Sequence, residues 1–175
     1  MKPITRWLSA TAFAAVLGLA PAPEARAQVV REPTTYRQAI SANPLGLLVD
    51  WFNAEYERVL TSESTAGIGG SYLTLDDEDN ATSDRGINLD VFWRYYPQGQ
   101  PLERFAFGVK GGITEVGGKV YPGFGFDANY SWLMGKRDNF YVGTGFGLKR
   151  LLGYERDDEN EFVPTIRLVN IGFAF

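Results

Sequence analysis

Side-chain polarity along this chain repeats every two residues. Over the segment 163–175, Phe175, Phe173, Ile171 and Val169 form one row, and Ala174, Gly172, Asn170 and Leu168 form the other. A period of two marks a β-strand with two unlike faces. The same division recurs upstream. In 51–60, Phe52, Ala54 and Tyr56 oppose Asn53, Glu55 and Glu57, and in 66–75, Ala66, Ile68, Gly70 and Tyr72 oppose Gly67, Gly69 and Ser71. In 86–96, Ile87, Leu89, Val91, Trp93 and Tyr95 oppose Asn88, Asp90, Phe92, Arg94 and Tyr96. Segment 104–114 sets Phe105, Phe107 and Val109 against Ala106, Gly108 and Lys110. Segment 121–133 sets Phe124, Phe126 and Tyr130 against Gly125, Asp127 and Asn129, and 140–152 sets Val142, Phe146 and Leu148 against Gly143, Gly147 and Lys149. A further strand candidate at 38–48 is interrupted by Pro44 and Gly46.

The connections alternate in kind. Short turns are predicted at 61–65, 97–103 and 134–139, and longer acidic loops at 76–85 and 153–161, with 115–119 a brief exception. A chain that starts and ends on one side of a barrel needs an even number of strands. The irregular 38–48 segment then becomes the eighth. Which face points inward decides the environment. About eight strands leave an interior just wide enough for side chains, so the large rings cannot all fit there. Glycines can, and so can paired charges. Arg or Lys facing lipid would cost about 2–4 kcal/mol. The expected fold is therefore all-β, an eight-stranded antiparallel up-and-down transmembrane β-barrel. Its rings face outward, and its lumen is lined by Glu55, Glu57, Asp90, Arg94, Lys110, Asp127 and Lys149.

The N-terminus changes the charge balance. Lys2 and Arg6, an apolar run over 7–19, Pro21 and Ala25-Arg26-Ala27 fit a cleavable signal peptide over 1–27. A periplasmic lead-in over 28–37 and the barrel over 38–175 follow. Without Lys2, Arg6, Arg26 and Glu24, the remaining chain has 14 basic and 20 acidic residues, a net charge of −6. That balance disfavours nucleic acid as a partner. The chain has no Cys and no His, which removes thiolate metal sites, disulfides and the commonest general base.

Several local motifs then fall into a familiar order. They are Asn43-Pro44-Leu45-Gly46-Leu47-Leu48, Glu55-Tyr56-Glu57-Arg58, Trp93-Arg94-Tyr95-Tyr96-Pro97 and the closing Ile171-Gly172-Phe173-Ala174-Phe175. Together they resemble a family of small outer-membrane β-barrel proteins of Gram-negative bacteria, and the layout is similar to OmpA- and OmpX-type eight-stranded barrels. The resemblance implies the fold and an outer-membrane location, reached through the periplasm. It also implies that Phe175, Phe173 and Ile171 serve as a C-terminal signal to the outer-membrane assembly machinery. It supplies no activity, no catalytic residues and no cofactor.

The candidate chemistry is limited. The lumen charges can form a polar path, or a paired plug that fixes strand register. The acidic runs Asp76, Asp77, Glu78, Asp79, Asp84 and Asp157, Asp158, Glu159, Glu161 can hold Ca²⁺ or Mg²⁺ near a lipopolysaccharide surface, or act as solvated loops. Glu55 and Glu57 lie two residues apart on one face and could share a proton. Without His, however, the chain is read as non-enzymatic. The leading expectation is a structural or surface-interaction role in contact with outer-membrane lipid and lipopolysaccharide. The alternatives are a narrow pore or small-solute transporter, and a secreted lipocalin-like barrel.

Overall fold

The computed structural model describes residues 36–48, 51–76, 83–154 and 162–175. These residues form eight strands: β1 (Gln38–Ala42), β2 (Trp51–Thr61), β3 (Ser64–Asp76), β4 (Ser83–Tyr95), β5 (Arg104–Val116), β6 (Lys119–Met134), β7 (Phe140–Leu151) and β8 (Phe162–Ala174). Each strand pairs antiparallel with the next in sequence, and β8 pairs with β1, so the sheet closes into a barrel. No α-helix occurs among the described residues. The expected signal peptide, most of the lead-in and the acidic residues 77–79 and 157–161 lie outside the described residues.

The period of two fixes which residues line the interior. Phe126 is 58% exposed and its neighbour Asp127 only 6%. The same contrast separates Trp93 from Arg94 and Val109 from Gly108. The large apolar row faces outward on strand after strand, and the polar row faces the lumen. Glycine is required where the interior is tightest. A Cβ on Gly67 would lie 2.4 Å from the Phe92 ring, and one on Gly108 would lie 2.3 Å from the Asp127 carboxylate.

One end of the barrel is closed by its turns. β2 and β3 join across a two-residue turn, where the Thr61 and Ser64 hydroxyls share a 2.7 Å hydrogen bond. The 96–103 connection does more than turn. It folds Leu102 into the barrel mouth, fully buried against Ala39, Leu133, Tyr141 and Ala174. Leu102 and Arg104 take left-handed backbone conformations, with φ of 69° and 71°. Ser131 Oγ donates to the Leu102 carbonyl at 3.0 Å. At the far end β5 and β6 meet across Gly117–Gly118, whose φ values of 56° and 76° suit a two-residue hairpin turn.

The structure corrects the sequence expectation at two places. The first strand stops at Ala42, well before residue 48. Asn43 Oδ1 accepts the Gly46 N–H at 3.1 Å, and the chain winds into a 3-10 turn over Leu45–Leu48. Pro44, which has no N–H to give a ladder, sits at this departure. The second correction is in β8. Gly143 pairs with Asn170, but Gly145 pairs with Arg167, so β8 carries one extra residue. This β-bulge leaves both Leu168 and Val169 exposed, and upstream of it inside and outside exchange. Leu168 therefore leaves the lumen row, and Arg167 enters it.

Candidate functional site

The lumen is built around Arg94, which β4 points inward and which is 1% exposed. β2 presents Glu55 and Glu57 to it, two residues apart on one face. Arg94 Nη1 donates to Glu57 Oε2 at 2.7 Å, and Nη2 donates to Glu55 Oε2 at 2.9 Å and to Asp127 Oδ2 at 3.3 Å. The guanidinium carbon lies 3.8 Å from the centre of the Phe92 ring. Glu57 also accepts from Thr65 Oγ1 at 2.5 Å and from Tyr96 OH at 2.7 Å. Tyr96 follows β4. Burial, reinforced by the Glu57 charge, pushes its phenol well above the ordinary value, so it stays a donor.

Arg167 completes the network from the opposite wall. It donates to Glu55 Oε2 at 2.7 Å, to Asp127 Oδ2 at 3.4 Å and to Asn129 Oδ1. Two arginines thus clamp Glu55 and Asp127 across the barrel axis. Nearby, Lys149 Nζ meets Asp90 Oδ1 at 2.5 Å and the Ile113 carbonyl at 3.3 Å. Lys110 donates to Thr165 Oγ1 and forms no ion pair among the described residues. It faces a cavity of about 50 Å³ lined also by Asn53, Glu55, Asp90, Asp127, Thr165 and Arg167. That volume holds only a few waters.

All seven charges expected in the lumen from sequence point inward, but the structure groups them unequally. Glu55, Glu57, Arg94 and Asp127 form one cluster, Asp90 and Lys149 a separate pair, and Lys110 stands apart. Arg58, next to Glu57 in the chain, is exposed and takes no part. The residue missed was Arg167. Strict alternation back from Phe175 assigns it to the outer row. The signal in the sequence was an Arg beside two consecutive apolar residues, Leu168 and Val169. Counting Arg167, the lumen holds four carboxylates and four cations among the described residues.

Outside, rings cluster near the turn end. Trp93 stacks on Tyr95 at 6.5 Å, Phe105 touches Phe107 at 4.9 Å and Tyr130 at 6.2 Å, and Tyr130 touches Trp132 at 4.6 Å. Phe140 meets Phe173 at 5.9 Å. Phe173 and Ile171 on β8, and Phe175 directly after it, are all exposed. Among the described residues no group of three or more acidic side chains is placed to hold a metal ion.

No family model, curated protein or solved structure matches the chain. The functional reading therefore rests on the residues and their geometry alone.

Proposed function

We propose that the chain is a small, non-enzymatic outer-membrane β-barrel with a structural or surface-interaction role, its lumen plugged by paired charges. The observation that carries this reading is the inverted distribution of polarity. Phe107, Phe126, Phe146 and their neighbours cover the outside, while Arg94, Arg167 and Lys149 are buried within. Soluble monomers rarely expose a contiguous apolar patch beyond about 300–600 Å². A band running round a barrel, with a belt of rings at one end, suits hydrocarbon with its interface instead. Outer-membrane lipid and lipopolysaccharide are then its surroundings, and the outer-membrane assembly machinery is the partner that inserts it.

Geometry supports the plug. A cavity of about 50 Å³ leaves no room for an apolar ligand of the lipocalin kind. Two arginines tied to three carboxylates cross the lumen, and Leu102 stops the turn end. The cavity beside Lys110 is the one feature that favours a narrow pore. Fractionation tests the location: the folded protein should be found in outer membranes and run as a heat-modifiable band. Planar-bilayer recording tests the plug, which predicts no steady conductance. A steady current altered by Lys110→Glu would replace the plug with the pore.

A further inference from the structure

The barrel closes on a short junction. β8 meets β1 only from Ala39–Ala174 to Ala42–Ile171, extended by backbone bonds between Gln38 and Phe175 at 2.8 and 2.9 Å. By contrast, β5 and β6 pair from Arg104 to Val116. Short pairings at a sheet end open more readily than long ones. The β4–β5 connection stands across the mouth from this junction, because four strands separate the two on either side of the ring. It nevertheless carries Leu102 into one cluster with Leu133 of β6, Tyr141 of β7, Ala174 of β8 and Ala39 of β1. Ala39 and Ala174 are partners in the closing junction itself.

Holding Leu102 there strains the backbone. Residues 100–103 form a unit, in which the Glu103 N–H donates to the Gln100 carbonyl at 3.2 Å. Gly99 precedes it with a φ of 65°, which glycine adopts freely. Leu102 and Arg104 take φ of 69° and 71°, which crowd the Cβ of any L residue. Arg104 is exposed, so burial of its side chain offsets none of this. Gln100 Oε1 adds a further cost, being buried with no hydrogen-bond partner. Strained residues persist only where their surroundings over-determine them. Here the surroundings are the burial of Leu102 and the bond from Ser131 Oγ to its carbonyl. The cluster that buries Leu102 is assembled from β1, β6, β7 and β8, so it exists only once β1 and β8 have met.

We propose that residues 100–103 are a strained latch on barrel closure. The unit docks across the mouth after β1 pairs with β8, and its docking keeps that junction from opening. Coupling of this kind is reciprocal: whatever favours docking must favour the junction, and the converse. In a minor state the unit swings out about Gly99 and Arg104, the strain at Leu102 and Arg104 is released, and the junction loosens with it. Release alone opens no path through the lumen, because Arg94 and Arg167 still cross it. The latch needs only the closed barrel, and so goes beyond the bilayer reading.

Residue-by-residue amide hydrogen exchange, measured by NMR on the folded full chain in detergent micelles, tests the coupling. The junction amides are those of 38–42 and 171–175, and the control amides are those of 108–112 and 123–127 in the β5–β6 pairing. Arg104→Gly relieves strain at an exposed position, and should slow exchange at the junction about fivefold. Arg104→Val puts a branched Cβ in the same conformation and should speed it. Leu102→Ala keeps the backbone but removes the docked side chain, and should speed exchange at the junction roughly tenfold. The control amides should change little in all three. Equal changes at junction and control would overturn the coupling, since they would report general stability alone. Junction exchange that ignores both Arg104 substitutions would overturn the strain. If Leu102→Ala does not fold, the opposed Arg104 variants still decide the matter.

Discussion

Replacing Arg94 with Met measures whether the lumen is a plug or a wet channel. Arg94 is 1% exposed and holds Glu57 at 2.7 Å, Glu55 at 2.9 Å and Asp127 at 3.3 Å. Losing it does not orphan all three. Arg167 still reaches Glu55 at 2.7 Å and Asp127 at 3.4 Å. Glu57 is the group left behind, a 3% exposed carboxylate with only the Thr65 and Tyr96 hydroxyls as donors. Removing one partner of a buried ion pair costs about 3–5 kcal/mol. The same change between groups already bathed in water costs roughly 0–1 kcal/mol. Urea unfolding of the barrel in phospholipid vesicles reads this difference, with Trp93 and Trp132 on the outer face as fluorescent reporters. We expect Arg94→Met to shift the folding equilibrium by about two to four decades. Arg94→Met with Glu57→Gln should recover most of the loss, because no charge is then left unpaired. A loss below about 1 kcal/mol for Arg94→Met would mean that water already solvates the network, and the plug argument would be wrong.

Three further outcomes follow from the same geometry. A Cβ on Gly125 would lie 2.0 Å from the Leu148 carbonyl oxygen, whereas one on Gly70 finds nothing nearer than 3.5 Å. Gly125→Ala should therefore abolish the heat-modifiable band in refolding trials while Gly70→Ala keeps it. Leu102→Ala removes the apolar stopper, and its cost should be about 2–5 kcal/mol in the vesicle unfolding assay, with the strands retained by circular dichroism. Deleting Val169 removes the extra residue of the β8 bulge and turns Arg167 toward the outer face. That variant should fail to insert, and adding Arg167→Leu should restore insertion in part, since a lipid-facing Arg costs about 2–4 kcal/mol.

Much of this architecture is legible in the sequence because a closed sheet with unlike sides writes its pattern directly into alternate residues. From β2 to β7, inside and outside follow the period of two without exception among the residues named. The pattern fails where backbone geometry departs from the ladder. In the β8 bulge, Leu168 and Val169 look like one residue of each face, yet both are exposed. No Gly or Pro marks the spot, so composition gives no warning. The only cue is the conflict of placing Arg167 among apolar neighbours. At 97–103, turn composition hides the burial of Leu102, because a left-handed backbone at a branched residue is not predictable from Pro101-Leu102-Glu103. At 43–48, Pro44 and Gly46 signal irregularity, but not that the strand ends at Ala42 and winds into a 3-10 turn.

Arg167 also changes what the glycines mean. With seven lumen charges the interior carries one carboxylate too many, and the glycines look like filler in a narrow bore. With the eighth, charge balances among the described residues, and the glycines become clearances for particular side chains. Gly108 makes way for Asp127 and Arg94, Gly67 for Phe92, and Gly147 for Thr165. The lumen is closed twice, by chemically different means. Leu102 and its neighbours stop the turn end with apolar packing, and the arginine–carboxylate cluster crosses the barrel itself. Salt screens exposed charges within a Debye length but buried pairs far less, and it does not weaken the Leu102 contact. High ionic strength alone should therefore leave bilayers containing the protein silent. A conducting path would need both closures removed, which Leu102→Ala combined with Arg94→Met would test more severely than either change alone.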